Sequence, residues 1–192
     1  MSLTEAQIDR YSRQIIVPHI GGRGQERLLA ARILLAGDAP DIEAPLAYLV
    51  GAGVGTIYLK LSADQAVFTE KRGLNADVSI TVADESQRRV DLALVIVGSE
   101  ATQKIADEIA SNRDVRALVI ARLDAPGEIS VIPDARGPLT IEAGFGARSE
   151  AADFIAMLAT AEAFKLIAGY VENPSSATIE FDGYETRVRV NP

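Results

Sequence analysis

A chain with no cysteine and one histidine can do only a short list of chemistries. Thioester, persulfide and disulfide chemistry are excluded, and so is a thiolate zinc site. His19 stands alone in Pro18-His19-Ile20-Gly21 and reads as a loop residue. What remains are carboxylates, arginines and backbone amides. They gather after an apolar strand, Arg32 to Ala36, which leads into Gly37 and then Asp38-Ala39-Pro40-Asp41-Ile42-Glu43. A glycine turn between a strand and a helix is a natural phosphate seat, because bare amides and the helix dipole meet the anion there. Here the turn has one glycine. Pro40 has no N–H to offer. Asp38, Asp41 and Glu43 put carboxylates at the helix N-terminus, where they are expected to satisfy its dipole and its free N–H groups themselves. A self-capped turn without a ligand is the plainer expectation.

The elements that would position this turn alternate. Helices are expected over Ile8 to Ile16, Gly24 to Ala31, Ile42 to Val50, Ala63 to Arg72, Ala101 to Ser111 and Glu150 to Ala168. Pro45 is placed in the first turn of its helix, where proline is tolerated. Strands are expected over Arg32 to Ala36, Thr56 to Leu61, Asp77 to Ala83, Asp91 to Val97, Arg116 to Leu123 and Glu128 to Pro133. Ala177 to Phe181 and Thr186 to Val190 flank Asp182-Gly183, a hairpin signal. The fold class is therefore α/β: a Rossmann-like, mostly parallel sheet with helices on both faces and a C-terminal antiparallel hairpin. Gly51-Ala52-Gly53-Val54-Gly55 ends a helix and precedes a strand, so it reads as a helix cap and turn, not a dinucleotide loop. Asp64 follows the second strand, where such folds often place an acid for ribose hydroxyls. Capping of the next helix is its plainer role. The long helix is apolar on most faces, and Phe154, Leu158 and Phe164 are expected in the core or an interface.

Composition sets bounds. The 192 residues suit one domain, 1–192, with a substantial core. The net charge of −8 argues against nucleic acid and anionic membranes as partners. No apolar run is long enough to span a bilayer, and the N-terminus is polar, so a cytoplasmic location is expected. No histidine–carboxylate cluster suggests a metal.

Arg10-Tyr11-Ser12-Arg13-Gln14-Ile15, then Gly24-Gln25, then the strand ending in Gly37 resemble the opening of the ThiF/MoeB and ubiquitin-activating-enzyme family. Ala161 to Tyr170 resembles its last long helix, and Arg187 to Pro192 its terminal strands. The resemblance implies an enzyme that uses ATP and magnesium to adenylate the C-terminal glycine of a ubiquitin-like protein. It also implies a dimer in which the second arginine of the opening motif, here Arg13, reaches ATP phosphates across the interface.

The same resemblance marks departures. In its register the later glycines of the phosphate loop fall on Ala39, Pro40 and Ile42. Its paired aspartates after the second strand fall on Leu61 and Ala63, with Asp64 as the nearest substitute. Its Asn-Leu-Gln-Arg-Gln segment is replaced by Thr69-Glu70-Lys71-Arg72-Gly73, leaving Arg72 as a vestigial contact beside Gly37 and Asp64. The aspartate that contributes to magnesium-ATP binding falls on Gly98, with Glu100 as a possible stand-in. Three readings stand. The first is a catalytically degenerate member, a pseudoenzyme that works as a structural or regulatory partner. It would form a homodimer, or a heterodimer with an intact family member, and would need no cofactor. The second is an active adenylyltransferase with a divergent loop. The third is a Rossmann domain that has moved to another small ligand.

Overall fold

The computed structural model describes residues 3–62, 73–83, 89–111, 115–135, 146–171, 174–181 and 185–190. The elements run α1 (Glu5–Arg10), α2 (Ser12–Ile15), α3 (Gly21–Ala30), β1 (Arg32–Gly37), α4 (Ala39–Ala52), β2 (Thr56–Leu61), β3 (Ser79–Val82), β4 (Val90–Val97), α5 (Glu100–Ser111), β5 (Val115–Arg122), β6 (Gly127–Ile132), α6 (Ala152–Ala168), β7 (Ala177–Phe181) and β8 (Thr186–Val190). One sheet takes all eight strands in the order β3-β2-β1-β4-β5-β6-β7-β8. The first five are parallel, and β6, β7 and β8 extend the sheet antiparallel. This is the expected α/β architecture.

Burial explains the order. From Leu92 to Val97, β4 is wholly buried, as a central strand covered on both faces must be. Leu92, Leu94 and Ile96 face one core with Leu28 of α3, Ile42 and Leu46 of α4 and Ile155 of α6. Ala93, Val95 and Val97 face a second core with Ala106 and Ile109 of α5. Helices α3, α4 and α6 thus lie on one face, and α5 lies on the other. Along α4 the buried residues Ile42, Pro45, Leu46, Leu49 and Val50 repeat at helical spacing. Ala152, Ala156, Ala159 and Ala163 of α6 are buried and small, which lets that helix lie close to the sheet and α4.

Three expectations need correction. Helix α4 begins at Ala39, three residues before the expected start, so Pro40 occupies the first turn and Pro45 lies inside the helix. Pro45 therefore removes the bond that its N–H would donate to the Asp41 carbonyl. Phe154 is 52% exposed in this chain, so it is not a core residue, although its ring lies 4.9 Å from that of Phe181. Ile8 to Ile16 forms two short helices broken at Tyr11, not one. The expected helix over Ala63 to Arg72, including Asp64 and Arg72, lies outside the described residues, as does Asp182-Gly183.

The break at Tyr11 has a physical cause. Tyr11 is buried, and its hydroxyl donates to Asp77 Oδ2 at 3.0 Å and accepts from Asn75 Nδ2 at 2.9 Å. Burial pushes its phenol pKa up, so the proton that makes the donation is retained. Arg10 donates to Asn75 Oδ1 at 2.8 Å and to Asp77 Oδ2 at 2.7 Å. Asn75 Nδ2 in turn reaches the Val50 carbonyl at 2.8 Å. Gly53 closes α4 with a left-handed residue, φ 80°, as the sequence suggested. A Cβ there would lie 2.5 Å from the Tyr11 hydroxyl. The Arg10-Tyr11 pair is thus a clip that holds the N-terminal segment to the end of α4. Gly53→Ala should therefore destabilise the fold by roughly 1–3 kcal/mol, from the strained φ and the displaced ring together. Urea denaturation followed by circular dichroism measures this.

Candidate functional site

In an open α/β sheet, ligands bind beyond the carboxyl ends of the strands, where neighbouring strands send their helices to opposite faces. That point lies between β1 and β4: α4 leaves β1 towards one face, and α5 leaves β4 towards the other. The crevice should lie over Gly37 and Gly98.

Both positions are covered by α4. A Cβ on Gly37 would lie 2.5 Å from Ile42 Cγ2 and 3.0 Å from the Ile96 carbonyl oxygen. Ile42 is fully buried and packs where the turn would otherwise open. A Cβ on Gly98 would collide with Asp41 Oδ2. The Asp41 side chain therefore lies against the bare backbone at the end of β4. Its other oxygen, Oδ1, accepts from Arg148 Nη2 at 2.8 Å. Arg148 also approaches the exposed Asp153 at 3.6 Å.

Several amides at the two helix starts are used locally. Asp41 N and Ile42 N donate to the Asp38 carbonyl at 3.1 and 3.2 Å. Gly98 N and Ser99 N donate to Thr102 Oγ1 at 3.0 and 2.9 Å. Asp38 is the N-cap residue of α4 by position, but its side chain makes no cap hydrogen bond. Its carboxylate instead accepts from the Ser62 hydroxyl beyond β2. The expected capping by side-chain carboxylates is therefore corrected: Asp38 turns to Ser62, and Asp41 turns to Arg148. Glu43 is exposed.

A second polar cluster borders the crevice at the end of β5. Arg122 is buried; its Nη1 donates to Gln103 Oε1 at 2.9 Å and its Nη2 to Asp124 Oδ2 at 3.1 Å. Gly146 N donates to the same Asp124 oxygen at 2.9 Å. Burial pushes the Asp124 pKa up, but the Gly146 amide and the Arg122 guanidinium outweigh it, so the carboxyl is held below its ordinary value. This cluster fixes Arg148. The backbone of residues 147–149 is stitched to 123–125, with Ala125 N on the Ala147 carbonyl at 2.8 Å and Ser149 N on the Leu123 carbonyl at 2.7 Å. A β-bridge joins Asp124 and Arg148 between them.

Of the residues singled out in sequence, Gly37, Asp38, Ala39, Pro40, Asp41, Ile42 and Glu43 sit together at the crevice. Arg13 does not join them. It is exposed on α2, and its side chain makes no hydrogen bond or ion pair with another described residue. Arg148, Ser62 and the Arg122–Asp124 pair were not legible as site residues. Arg148 is 107 residues from Asp41 in the chain, so no local spacing links them. Among the described residues, no group of three or more histidines and carboxylates could hold a metal ion. No helix there is long and apolar enough to cross a membrane.

The strand order and the switch point between β1 and β4 define a Rossmann-like α/β protein. Sequence relatives make this more specific. The chain is 32% identical over 130 residues to a SAMP-activating enzyme E1 of Haloferax volcanii, covering 56% of this chain and 48% of that protein. It is 35% identical over 125 residues to a probable adenylyltransferase/sulfurtransferase MoeZ of Mycobacterium tuberculosis, covering 64% of this chain and 26% of that protein. A sulfur carrier protein adenylyltransferase of Thermus thermophilus is 47% identical over 58 residues, 30% of this chain and 21% of that protein. The chain thus spans about half or less of the length of these relatives. No protein-family model matches it. Among solved structures, PaaA superposes with a TM-score of 0.64 at 17% identity, over 98% of this chain and 75% of that one. MccB of E. coli, in its structure with ATP, superposes with a TM-score of 0.62 at 14% identity, over 95% and 71%. These two show the fold; the sequence matches show the kinship. The chain is a relative of the ThiF/MoeB-type adenylyltransferases, as its opening motif suggested.

The Asp41–Arg148 pair is asymmetric, and that yields a test. The Asp41 side chain is 8% exposed and that of Arg148 is 45% exposed. Removing the arginine strands a buried carboxylate, whereas removing the aspartate leaves a cation that water can reach. Arg148→Ala should cost about 1–3 kcal/mol and Asp41→Ala about 1 kcal/mol or less. Chemical denaturation of the two variants side by side reads the difference.

Proposed function

We propose that this chain is a non-adenylating member of its family that works as a structural or regulatory partner. The observation that carries the reading is the first turn of α4. Ile42 fills the space over Gly37, and Asp41 lies against Gly98. A magnesium-bound triphosphate does not fit these residues. Its oxygens would meet an aliphatic side chain and a carboxylate, Pro40 offers no N–H, and the Asp41, Gly98 and Ser99 amides are already donating. No adenylation step is derived for this chain, and no catalytic residue is assigned.

A partner role is supported by the surface. Tyr48 of α4 is 67% exposed and borders an open groove of about 640 Å³ between α4 and α6, which also takes in Met157, Phe164 and Gln14. An aromatic of this exposure beside an apolar groove suits an interface. The groove is continuous with the N-terminal segment that presents Arg13. In this reading the chain docks through that face on a second copy, or on a family member with an intact nucleotide site, and Arg13 is offered across the interface. On a second copy, its counterpart would be a carboxylate of the Asp38 to Glu43 turn. On an intact member, it would be a phosphate. A ubiquitin-like protein would then be handled by the intact member, and the complex would be cytoplasmic.

Calorimetric titration with magnesium-ATP should give no saturable heat at micromolar to millimolar nucleotide. Sedimentation at micromolar protein should show a dimer that Tyr48→Glu dissociates. Micromolar ATP binding, or nucleotide-dependent pyrophosphate exchange with a ubiquitin-like substrate, would overturn the non-adenylating reading. A monomer both alone and mixed with an intact family member would overturn the partner role.

A further inference from the structure

The two faces of the sheet carry different helices. On one face, α5 exposes Lys104, Asp107 and Glu108 at helical spacing, as a helix that meets water does. On the other face, α4 has no charged residue from Ala44 to Ala52, although Ala44, Tyr48 and Gly51 are exposed. A helix that is apolar all round is one covered on every side. Tyr48, Gly51 and Ala52 share a side of α4 at i, i+3 and i+4, and Met157, Ala161 and Phe164 share a side of α6 at i, i+4 and i+7. These two sides face each other across the α4–α6 groove.

Two polar groups lining this apolar groove are unmatched. The Tyr48 hydroxyl makes no hydrogen bond with another described residue. Gln14 Oε1 is buried and accepts no hydrogen bond. Gln14 enters the groove from α2, whose first residue follows Tyr11, and Tyr11 sits against Gly53 just past the end of α4. A Cβ on Gly51 would meet nothing within 4 Å, so the space over that residue is open. One unmatched group is a donor and the other an acceptor, and both belong to the same surface. A two-fold contact between identical surfaces sets residue i on j and j on i at once.

We propose that a second copy of this chain covers the α4–α6 face, and that the Tyr48 hydroxyl of each copy donates to Gln14 Oε1 of the other. The inference rests on the partner role proposed above and names its occupant. The chain carries both halves of the pair, so a second copy makes the contact twice. The tyrosine ring lies over the bare backbone at Gly51, between Met157 and Phe164. The terminal torsion of a glutamine is soft, so the Gln14 oxygen can turn to face the incoming hydroxyl. The apolar surfaces supply the attraction, and the hydrogen bond fixes the register.

Sedimentation equilibrium of the whole chain over a micromolar dilution series reads the dimer constant. Tyr48→Phe removes only a hydroxyl from an exposed ring, so the fold of the single chain is kept. It should weaken the dimer about ten-fold, because the bond is lost twice and two Gln14 oxygens stay unmatched. Gln14→Met should weaken it by about as much, leaving two hydroxyls without an acceptor. The two changes combined should return the constant to within about three-fold of the unaltered chain, since phenylalanine against methionine leaves no polar group unmatched. A dimer unchanged by both single substitutions, or one in which the two losses simply add, would overturn this contact and leave the partner role standing. A chain that is monomeric alone but pairs with an intact family member would overturn the second copy as occupant, again without touching the partner role. A monomer in both settings removes the partner role and this contact together.

Discussion

The first turn of α4 rests directly on the carboxyl ends of β1 and β4, and the character of the crevice depends on that close approach. It requires bare backbone at Gly37, where a Cβ would strike Ile42 and the Ile96 carbonyl; at Gly98 a Cβ would displace the Asp41 carboxylate from its place against the strand end. In a phosphate-binding turn, glycine serves the ligand by letting backbone amides come near it. Here the same residue type serves the protein's own helix. Ile42 gains a fully buried position over Gly37, worth about 1.5–3 kcal/mol for a side chain of that size. Asp41 gains a buried position that is tolerable only because Arg148 meets it.

The opening motif has a comparable double character. Arg10 and Tyr11 point inward and tie the N-terminal segment to Asn75, Asp77 and the end of α4. Arg13, two residues past Tyr11, points to solvent. Keeping Arg10 and Tyr11 is explained by the fold alone. Keeping Arg13 is not, since no other described residue hydrogen-bonds or pairs with its side chain. The inward-turned Arg10 and Tyr11, Ile42 over Gly37 and the exposed Arg13 are the observations on which the proposed partner role rests.

Much of the fold was legible because its signals are local. Continuous apolar runs marked β1 and β4 as buried-type strands, and the Gly51 to Gly55 segment marked the end of α4 to within two residues. The start of α4 was misplaced because Pro40 reads as a loop residue when it is in fact well suited to a first turn. The crevice was half legible. The loss of glycines and the crowd of carboxylates could be counted in sequence, but their partners could not. Asp38 was expected to cap its own helix, yet Ser62 captures its carboxylate from the end of a neighbouring strand. Arg148 reaches Asp41 only because β5 and the segment before α6 are stitched together at Asp124. For Phe154, expected in the core or an interface, only the core is excluded: alanines supply most of the buried face of α6, and the phenylalanine falls outside it.

In the proposed reading, α4 occupies the phosphate seat in the resting chain. Two-dimensional amide NMR of the isotope-labelled protein, titrated with magnesium-ATP, tests it at the atoms concerned. The predicted result is that the amides of Gly37, Ile42 and Gly98 stay where they are up to millimolar nucleotide, and that they begin to shift saturably only when Asp41 and Ile42 are both replaced by glycine. Saturable shifts centred on those three amides in the unaltered chain would contradict it.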